Sequence, residues 1–258
     1  MPELLVEDVG EGVRILTLDN EAKRNAVDPG LLGAIVEACK AADADDVRCL
    51  VLTGKGEKAF CAGYDLGELE QARPEDPLPD AALQVAISAL EHTRAPVIAA
   101  INGAAYGAGA ELAIACDLRV ADEAAKISLP PAKLGIVYAP AGLQRFVEVV
   151  GLSRAKRLFY TAEAVPADQA EAIGLVDEVT GRGGALERAV ELARTIACNA
   201  PIAVQGMKRI FLLLRRRELP AAAVGEIEAL RRMSFHSEDA REGVEALRQR
   251  RKPRFVGR

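Results

Sequence analysis

The sequence has little histidine and no closely spaced pair of cysteines. Only His92 and His236 are present, so a histidine metal site and a Ser-His-Asp triad are both disfavoured. The five cysteines are an odd number at wide spacings, which disfavours a zinc site and a disulfide framework. We therefore expect a reduced, cytoplasmic protein with no metal and no separate cofactor.

Long hydrophobic runs and a strong net charge are also missing. No run is long enough to span a membrane, and Met1-Pro2-Glu3 is not the usual start of a signal peptide. The formal net charge is −5, so neither nucleic acid nor a membrane is the expected partner. The basic tail 248–254 is either a solvated end or a contact for phosphates, and the overall negative charge disfavours RNA binding through it.

Half of the residues are hydrophobic, which is enough for a sizeable core. Strand and helix signals alternate at short intervals until about residue 180, and the rest is almost wholly helical. Strands are predicted at Leu4–Val9, Val13–Leu18, Val47–Leu52, Pro96–Ile101, Leu118–Ala121, Lys126–Leu129 and Leu175–Val179. Helices are predicted from Asp28-Pro29, over Ala81–His92, Ala110–Cys116 and Ala141–Val150, after a Ser153 cap, and from Pro166. Between them, Gln71–Asp80 is predicted to be a surface loop that could act as a lid.

The stretch Ile101–Leu112 joins a buried strand to a helix through several glycines. The first turn of a helix has N–H groups without intrahelical acceptors, and these stabilise an anion or a carbonyl oxygen that becomes one. Glu111 lies in the same turn, so a carboxylate accompanies the donors. Alternatively, this is an ordinary tight turn in which Glu111 only complements the helix dipole.

A second segment, Ala59–Leu66, repeats this pattern. A short apolar run meets Gly63, and Asp65 follows in the position of a helix N-cap. The N–H groups near Gly63 to Asp65 could form the second half of an anion-stabilising hole.

Three motifs together resemble the crotonase superfamily of enoyl-CoA hydratases and isomerases. They are Lys23–Val27, Phe60–Leu66 and Asn102–Leu112, and the tail Lys252–Phe255 also fits. The resemblance implies an α/β fold: residues 1–182 form a spiral of β-β-α units, and residues 183–258 form a helical trimerisation region. It also implies an acyl-CoA thioester substrate and a homotrimer or a dimer of trimers.

The resemblance also implies site residues. The backbone N–H groups of Tyr64 and Ala108 would form the oxyanion hole, and Glu111 matches the first of the two carboxylates that a hydratase uses. The second falls on Pro131, which can neither give nor take a proton. CoA contacts are implied for Lys23, Arg24, Ala26, Ala62, Asp65 and Leu66, with Lys252 and Phe235 reaching the adenosine end from a neighbouring subunit.

Tyr138 completes the set of candidate catalytic residues. Its segment resembles the methylmalonyl-CoA decarboxylase branch, in which a tyrosine is catalytic, and a phenol can orient a carboxylate. The favoured function is therefore decarboxylation of a malonyl-type CoA ester. The alternatives are an enoyl-CoA hydratase or isomerase acting through Glu111, and a non-catalytic acyl-CoA-binding protein. Tyr138 could also be a packed aromatic residue whose hydroxyl donates to a backbone carbonyl.

Overall fold

The computed structural model describes residues 2–67, 77–214 and 235–251, and positions 225, 228, 229, 232 and 253. In this part of the chain ten strands form two sheets. The strands are β1 Glu3–Asp8, β2 Val13–Asp19, β3 Cys49–Gly54, β4 Ala59–Cys61, β5 Val97–Ile101, β6 Ala104–Tyr106, β7 Leu118–Asp122, β8 Lys126–Ser128, β9 Val165–Pro166 and β10 Glu178–Thr180. The helices are α1 Pro29–Ala44, α2 Ala81–His92, α3 Ala108–Ala115, α4 Pro131–Leu134, α5 Pro140–Val150, α6 Leu152–Thr161, α7 Ala167–Ala172, α8 Ala185–Ala197, α9 Pro201–Leu214 and α10 Glu238–Arg248.

The larger sheet has six strands in the order β1-β2-β3-β5-β7-β10, and the smaller has four in the order β4-β6-β8-β9. Within each sheet all pairs are parallel except β1 with β2 and β8 with β9. Along the chain, successive strands are thus added to both sheets. This agrees with the expected mixed α/β fold. The two strands predicted at the N-terminus are confirmed, and they form a hairpin, because β1 and β2 pair antiparallel around a short turn.

Both faces of the larger sheet are buried, and strand alternation assigns each residue to a face. In β3, Leu50 and Leu52 enter the main core, whereas Cys49 and Val51 face the other side. Helices α1, α2 and α3 contribute to the main core. Helix α8 covers the second face with alanines four residues apart: Ala185, Ala189 and Ala193. The proposed boundary at residue 182 stays a prediction.

The cap of α1 follows the sequence expectation. Asp28 is the N-cap, its Oδ1 accepts from Leu31 N at 2.8 Å, and Pro29 occupies the first helical position. The predicted cap at Ser153 is wrong. Helix α6 already begins at Leu152, with Gly151 (φ +78°) as its N-cap, so Ser153 lies inside the first turn.

Two strand predictions near the site also differ from the structure. The sequence indicated a glycine turn directly after Ile101, but Ala104–Tyr106 forms β6 in the smaller sheet. The predicted strand Leu175–Val179 begins only at Glu178, because the Leu175 and Val176 amides donate to Ala170 O at the end of α7. Short pairings of this kind depend on partners distant in sequence.

Some expectations fall outside the described residues. Most of the predicted surface loop Gln71–Asp80 is among residues 68–76, and Lys252 and residues 254–258 of the tail are likewise not described. Within the described part of the chain, no helix is long and apolar enough to cross a membrane.

Candidate active site

Two backbone turns meet at the N-terminus of α3, and glycines allow the approach. A Cβ built on Gly109 would lie 2.8 Å from Cys61 Cβ and would overlap the Cys61 carbonyl oxygen. A Cβ on Gly63 (φ +113°) would lie 3.9 Å from Ala108 N. The end of β4 and the first turn of α3 are therefore in direct contact. Ala108 is the first residue of α3, so its N–H belongs to the amides that the helix itself does not satisfy.

The orientation of the Tyr64 amide follows from its neighbours. Tyr64 forms an isolated parallel bridge with Val27: Gly63 O accepts from Val27 N at 2.9 Å, and Asp65 N donates to Val27 O at 2.8 Å. Since successive peptide groups of an extended chain point to opposite sides, the Tyr64 N–H points away from Val27. Tyr64 and Ala108, the residues of the predicted pair of amides, both line one cavity.

Glu111 is buried in the first turn of α3, with 2% of its surface exposed. The carboxylate is therefore shielded from bulk solvent. Gln84 Nε2 donates to Glu111 Oε1 at 3.0 Å, and Arg145 Nη1 lies 3.8 Å from the same oxygen. Both neighbours place positive hydrogens beside the carboxylate, an arrangement that stabilises its charge and fixes its position.

Tyr138 lies beside both Gly107, which precedes α3, and Glu111. A Cβ on Gly107 would be 3.6 Å from Tyr138 Oη, and a Cβ on Gly142 would be 3.4 Å from Tyr138 Cδ1 and 2.5 Å from Glu111 Oε1. The ring also packs edge-on against Phe159, with centroids 5.2 Å apart, so Tyr138 is both a packed aromatic residue and part of the cavity wall. Burial, then the charges of Glu111 and Asp80, raise the pKa of Tyr138 well above its usual value.

Eleven of the twelve residues proposed from the sequence line a single cavity of about 790 Å³. Pro131, at the place of the second carboxylate, lines it too. The eleven are Lys23, Arg24, Ala26, Ala62, Tyr64, Asp65, Leu66, Ala108, Glu111, Tyr138 and Phe235. Their roles remain predictions, but the structure brings them together.

The loop after β2 forms one rim of this cavity. Lys23 Nζ pairs with the Asp65 carboxylate, which also accepts from Gly67 N at 2.9 Å as an N-cap does. Arg24 has a left-handed backbone (φ +53°), and its carbonyl accepts from Ala62 N at 3.0 Å. The buried Asn25 side chain donates to Ala59 O at 2.7 Å and anchors the loop to β4.

Sequence reasoning missed four residues around Glu111. Asp80 and Gln84 lie at the start of α2, Glu91 lies at its end, and Arg145 lies on α5. A polar Gln84 between apolar neighbours was a weak signal on its own. Nothing local shows that Glu91 and Arg145 meet, because they are 54 residues apart.

Thiol chemistry is disfavoured at this site. Burial raises the pKa of Cys61, which packs against Gly109 in the first turn of α3, to about 12, so its thiol is protonated at neutral pH and is a poor nucleophile. Among the residues with described positions, no group of three or more His, Cys, Asp or Glu side chains could hold a metal ion.

Backbone N–H donors at a helix N-terminus, a buried carboxylate and a large cavity are features of a site that can bind a polarised carbonyl group. Comparisons with known proteins identify the class. Residues 8–258 match the enoyl-CoA hydratase/isomerase family, so the chain belongs to this family, within the crotonase superfamily, and is an acyl-CoA enzyme.

Individual relatives differ in their reactions. The chain is 36% identical to the 2,3-dehydroadipyl-CoA hydratase of Escherichia coli K12, with full coverage of both sequences. The fold matches methylmalonyl-CoA decarboxylase complexed with 2S-carboxypropyl CoA at a TM-score of 0.91 and 26% identity, covering 99% and 98% of the two chains. It matches an enoyl-CoA hydratase from Bacillus anthracis at a TM-score of 0.78 and 33% identity, covering 99% of each chain.

Proposed function

We propose that this protein is an enoyl-CoA hydratase or isomerase in which Glu111 carries out proton transfer. The observation that carries the proposal is the position of Glu111: buried, held by Gln84, and next to the N-terminus of α3 in the cavity. In this proposal the Tyr64 and Ala108 amides bind the thioester oxygen. One such preorganised donor contributes roughly 3 kcal/mol to transition-state stabilisation.

A single carboxylate is sufficient for both reactions. In hydration, Glu111 takes a proton from water as the water oxygen bonds to C3. The C2–C3 π electrons move to form a thioester enolate, and Glu111 then returns the proton to C2. In isomerisation, Glu111 removes a proton from C2 of a 3-enoyl ester and delivers it to C4. Neither reaction requires a proton from the position of Pro131.

Charge in the cavity also supports enoyl chemistry over the decarboxylation favoured by the sequence. The pKa of Tyr138 is raised by burial and also by Glu111 and Asp80, so two carboxylates act on the phenol. A malonyl carboxylate bound at Tyr138 Oη would experience the same negative charges, whereas a neutral enoyl group would not. The hydratase names of relatives at 33–36% identity point the same way.

A malonyl-type decarboxylase is the second candidate. It is favoured by the position of Tyr138 Oη beside Gly107 and by the fold match to methylmalonyl-CoA decarboxylase. In that reaction the bond between C2 and the carboxylate carbon breaks, its electrons form the enolate, and CO₂ leaves. C2 then takes a proton from solvent. No base is needed, so Glu111 would not carry out the chemistry.

Mass spectrometry of the purified protein distinguishes the two candidates. The protein and its Glu111→Gln variant are incubated separately with crotonyl-CoA and methylmalonyl-CoA. We expect wild type to add water to crotonyl-CoA, and we expect the variant to lose this activity while still binding CoA esters. Propionyl-CoA formed equally by both proteins would instead establish the decarboxylase. Isomerisation does not change the mass, so it is assayed separately with a 3-enoyl-CoA, by the absorbance of the conjugated 2-enoyl product. Ester binding without a product in any of these assays would indicate a non-catalytic acyl-CoA-binding protein.

Binding of the CoA portion is proposed at the rim made by Lys23, Arg24, Ala26, Ala62, Asp65 and Leu66, because the rim borders the cavity. Assembly into trimers or pairs of trimers is also proposed. It is supported by the exposed apolar side chains of α9: Ile202, Met207, Ile210 and Phe211. Sedimentation equilibrium tests the assembly, and a monomer would contradict it. A cytoplasmic location remains a prediction.

A further inference from the structure

A buried charge network lies behind Glu111, on the side away from the cavity lining. Arg145 of α5 donates through Nε to Glu91 Oε1 at 2.7 Å and through Nη2 to Glu91 Oε2 at 2.9 Å. Less than a tenth of either side chain is exposed. A two-bonded Arg–carboxylate pair of this kind fixes the guanidinium plane. Neither residue lines the cavity.

The third guanidinium nitrogen has a different environment. Arg145 Nη1 is buried and has no hydrogen-bond acceptor among the described residues. Glu111 Oε1 lies 3.8 Å from it, too far for a hydrogen bond but close enough for a strong electrostatic interaction in a buried site. The fixed plane therefore places an unsatisfied cationic N–H next to the carboxylate that the proposed function uses.

We propose that Arg145 is a positioning residue that keeps Glu111 ionised through Nη1, and that Glu91, which pairs with the same guanidinium, weakens the electrostatic effect of Arg145 on Glu111. The inference rests on the proposed function, because it assigns a role to Glu111 in proton transfer. Two carboxylates share one guanidinium. Removing the cation and removing the competing carboxylate must therefore affect Glu111 in opposite directions.

Other charged or titratable groups surround Glu111 from several elements. Asp80 begins α2, and Tyr138 precedes α5; both line the cavity. Cys61, at the end of β4, has a pKa of about 12 and is neutral. Arg119 of β7 contacts the far end of α3, where its Nη1 donates to Cys116 O. These groups stay unchanged in the Arg145 and Glu91 variants below, so they do not determine the direction of the shift.

The test is the pH profile of kcat/KM with crotonyl-CoA. A base must be ionised, so activity is lost as pH falls through the pKa of Glu111. Arg145→Met should move this acid limb to higher pH by about one unit or more. Glu91→Gln should move it to lower pH, since Arg145 then acts on Glu111 alone. Arg145→Lys should restore part of the wild-type profile, and KM should change little in all three.

Arg119→Met is the matched control, since Arg119 is also buried and paired with a carboxylate, that of Asp177. It should reduce stability without moving the limb. An unmoved limb in folded Arg145→Met and Glu91→Gln proteins, or shifts in the same direction, would overturn the inference. If the variant lacking Arg145 does not fold, Glu91→Gln and Arg145→Lys still test it.

Failure of the proposed function gives a separate result. If wild type hydrates or isomerises no enoyl-CoA, the proposed reaction is wrong. The Glu111 carboxyl can then be titrated by ¹³C NMR, with its signal assigned from the Glu111→Gln variant. The same opposite shifts for Arg145→Met and Glu91→Gln would support the electrostatic coupling, and unchanged titration would overturn it.

Discussion

Gly142 of α5 faces Glu111 so closely that a Cβ at residue 142 would lie 2.5 Å from Glu111 Oε1. We predict that Gly142→Ala displaces the carboxylate from Gln84 and lowers kcat by roughly 10- to 100-fold, since a displacement of about 1 Å can have this effect. Steady-state kinetics with crotonyl-CoA measures the loss.

A matched control separates this clash from any general effect of alanine in a helix. Gly33 lies in α1, and a Cβ there would meet no atom within 4 Å. Gly33→Ala should leave kcat unchanged and raise the free energy of unfolding by about 0.5–1 kcal/mol. Wild-type kcat in Gly142→Ala would show that Glu111 tolerates displacement.

Removal of the Tyr138 hydroxyl has different consequences for the two candidate reactions. In hydration, Tyr138→Phe should reduce kcat by about tenfold or less, because one hydrogen bond is worth about 1 kcal/mol and Glu111 remains. In decarboxylation the same change should abolish turnover while ester binding persists. Parallel assays with both esters give the answer, and full loss of hydration would mean that Tyr138 itself transfers a proton.

Asp80 should influence which acyl groups the cavity accepts. Its charge acts on Tyr138, so Asp80→Asn should tighten binding of methylmalonyl-CoA relative to crotonyl-CoA. The Asp80 side chain makes no cap hydrogen bond to α2, so α2 should keep its start in this variant. Isothermal titration calorimetry on an inactive Glu111→Gln background measures both affinities. An unchanged ratio would place Asp80 away from the acyl group.

The ion pair between Lys23 and Asp65 at the cavity rim should make the stability of the protein depend on pH. The hydrogen bond from Lys23 and then the Gly67 amide lower the pKa of Asp65, against the opposing effect of burial. The unfolded chain therefore takes up this proton first, and the stabilisation is lost as pH falls from the usual aspartate range through the folded-state pKa.

Asp65→Asn should remove this part of the acid sensitivity. Lys23 is largely exposed, so the effect should be at most about 1 kcal/mol. Urea unfolding between neutral and acidic pH measures it. Lys23→Met should weaken the pH dependence of the free energy of unfolding in the same way. The double variant should weaken it little further. If the free energy of unfolding falls with pH as steeply in both single variants as in wild type, the Lys23–Asp65 pair is not the source of this pH dependence.

The sequence was informative where chemistry is local. Asp28-Pro29 predicted the start of α1, and the glycines around Ala108 and Tyr64 predicted where two turns would meet. Contacts between distant segments were not predictable in this way. Gln84 and Arg145 reach Glu111 from different helices, and only the folded chain shows that both arrive at one oxygen.

The charge environment was missed for the same reason. From the sequence, Tyr138 favoured decarboxylation because a phenol can orient a substrate carboxylate. In the structure, Glu111 and Asp80 raise the pKa of that phenol, and their negative charge is one reason that we propose a neutral enoyl substrate instead. Such effects depend on burial and distance, which residue types alone do not specify.

Incubation of wild type with crotonyl-CoA in D₂O tests the central claim most directly. If an enolate held by the Tyr64 and Ala108 amides is protonated by Glu111, the hydroxyacyl product must carry deuterium on C2, because the proton originates from solvent water. NMR of the product detects this carbon-bound deuterium. Unchanged crotonyl-CoA, together with release of CO₂ from methylmalonyl-CoA under the same conditions, would contradict the account.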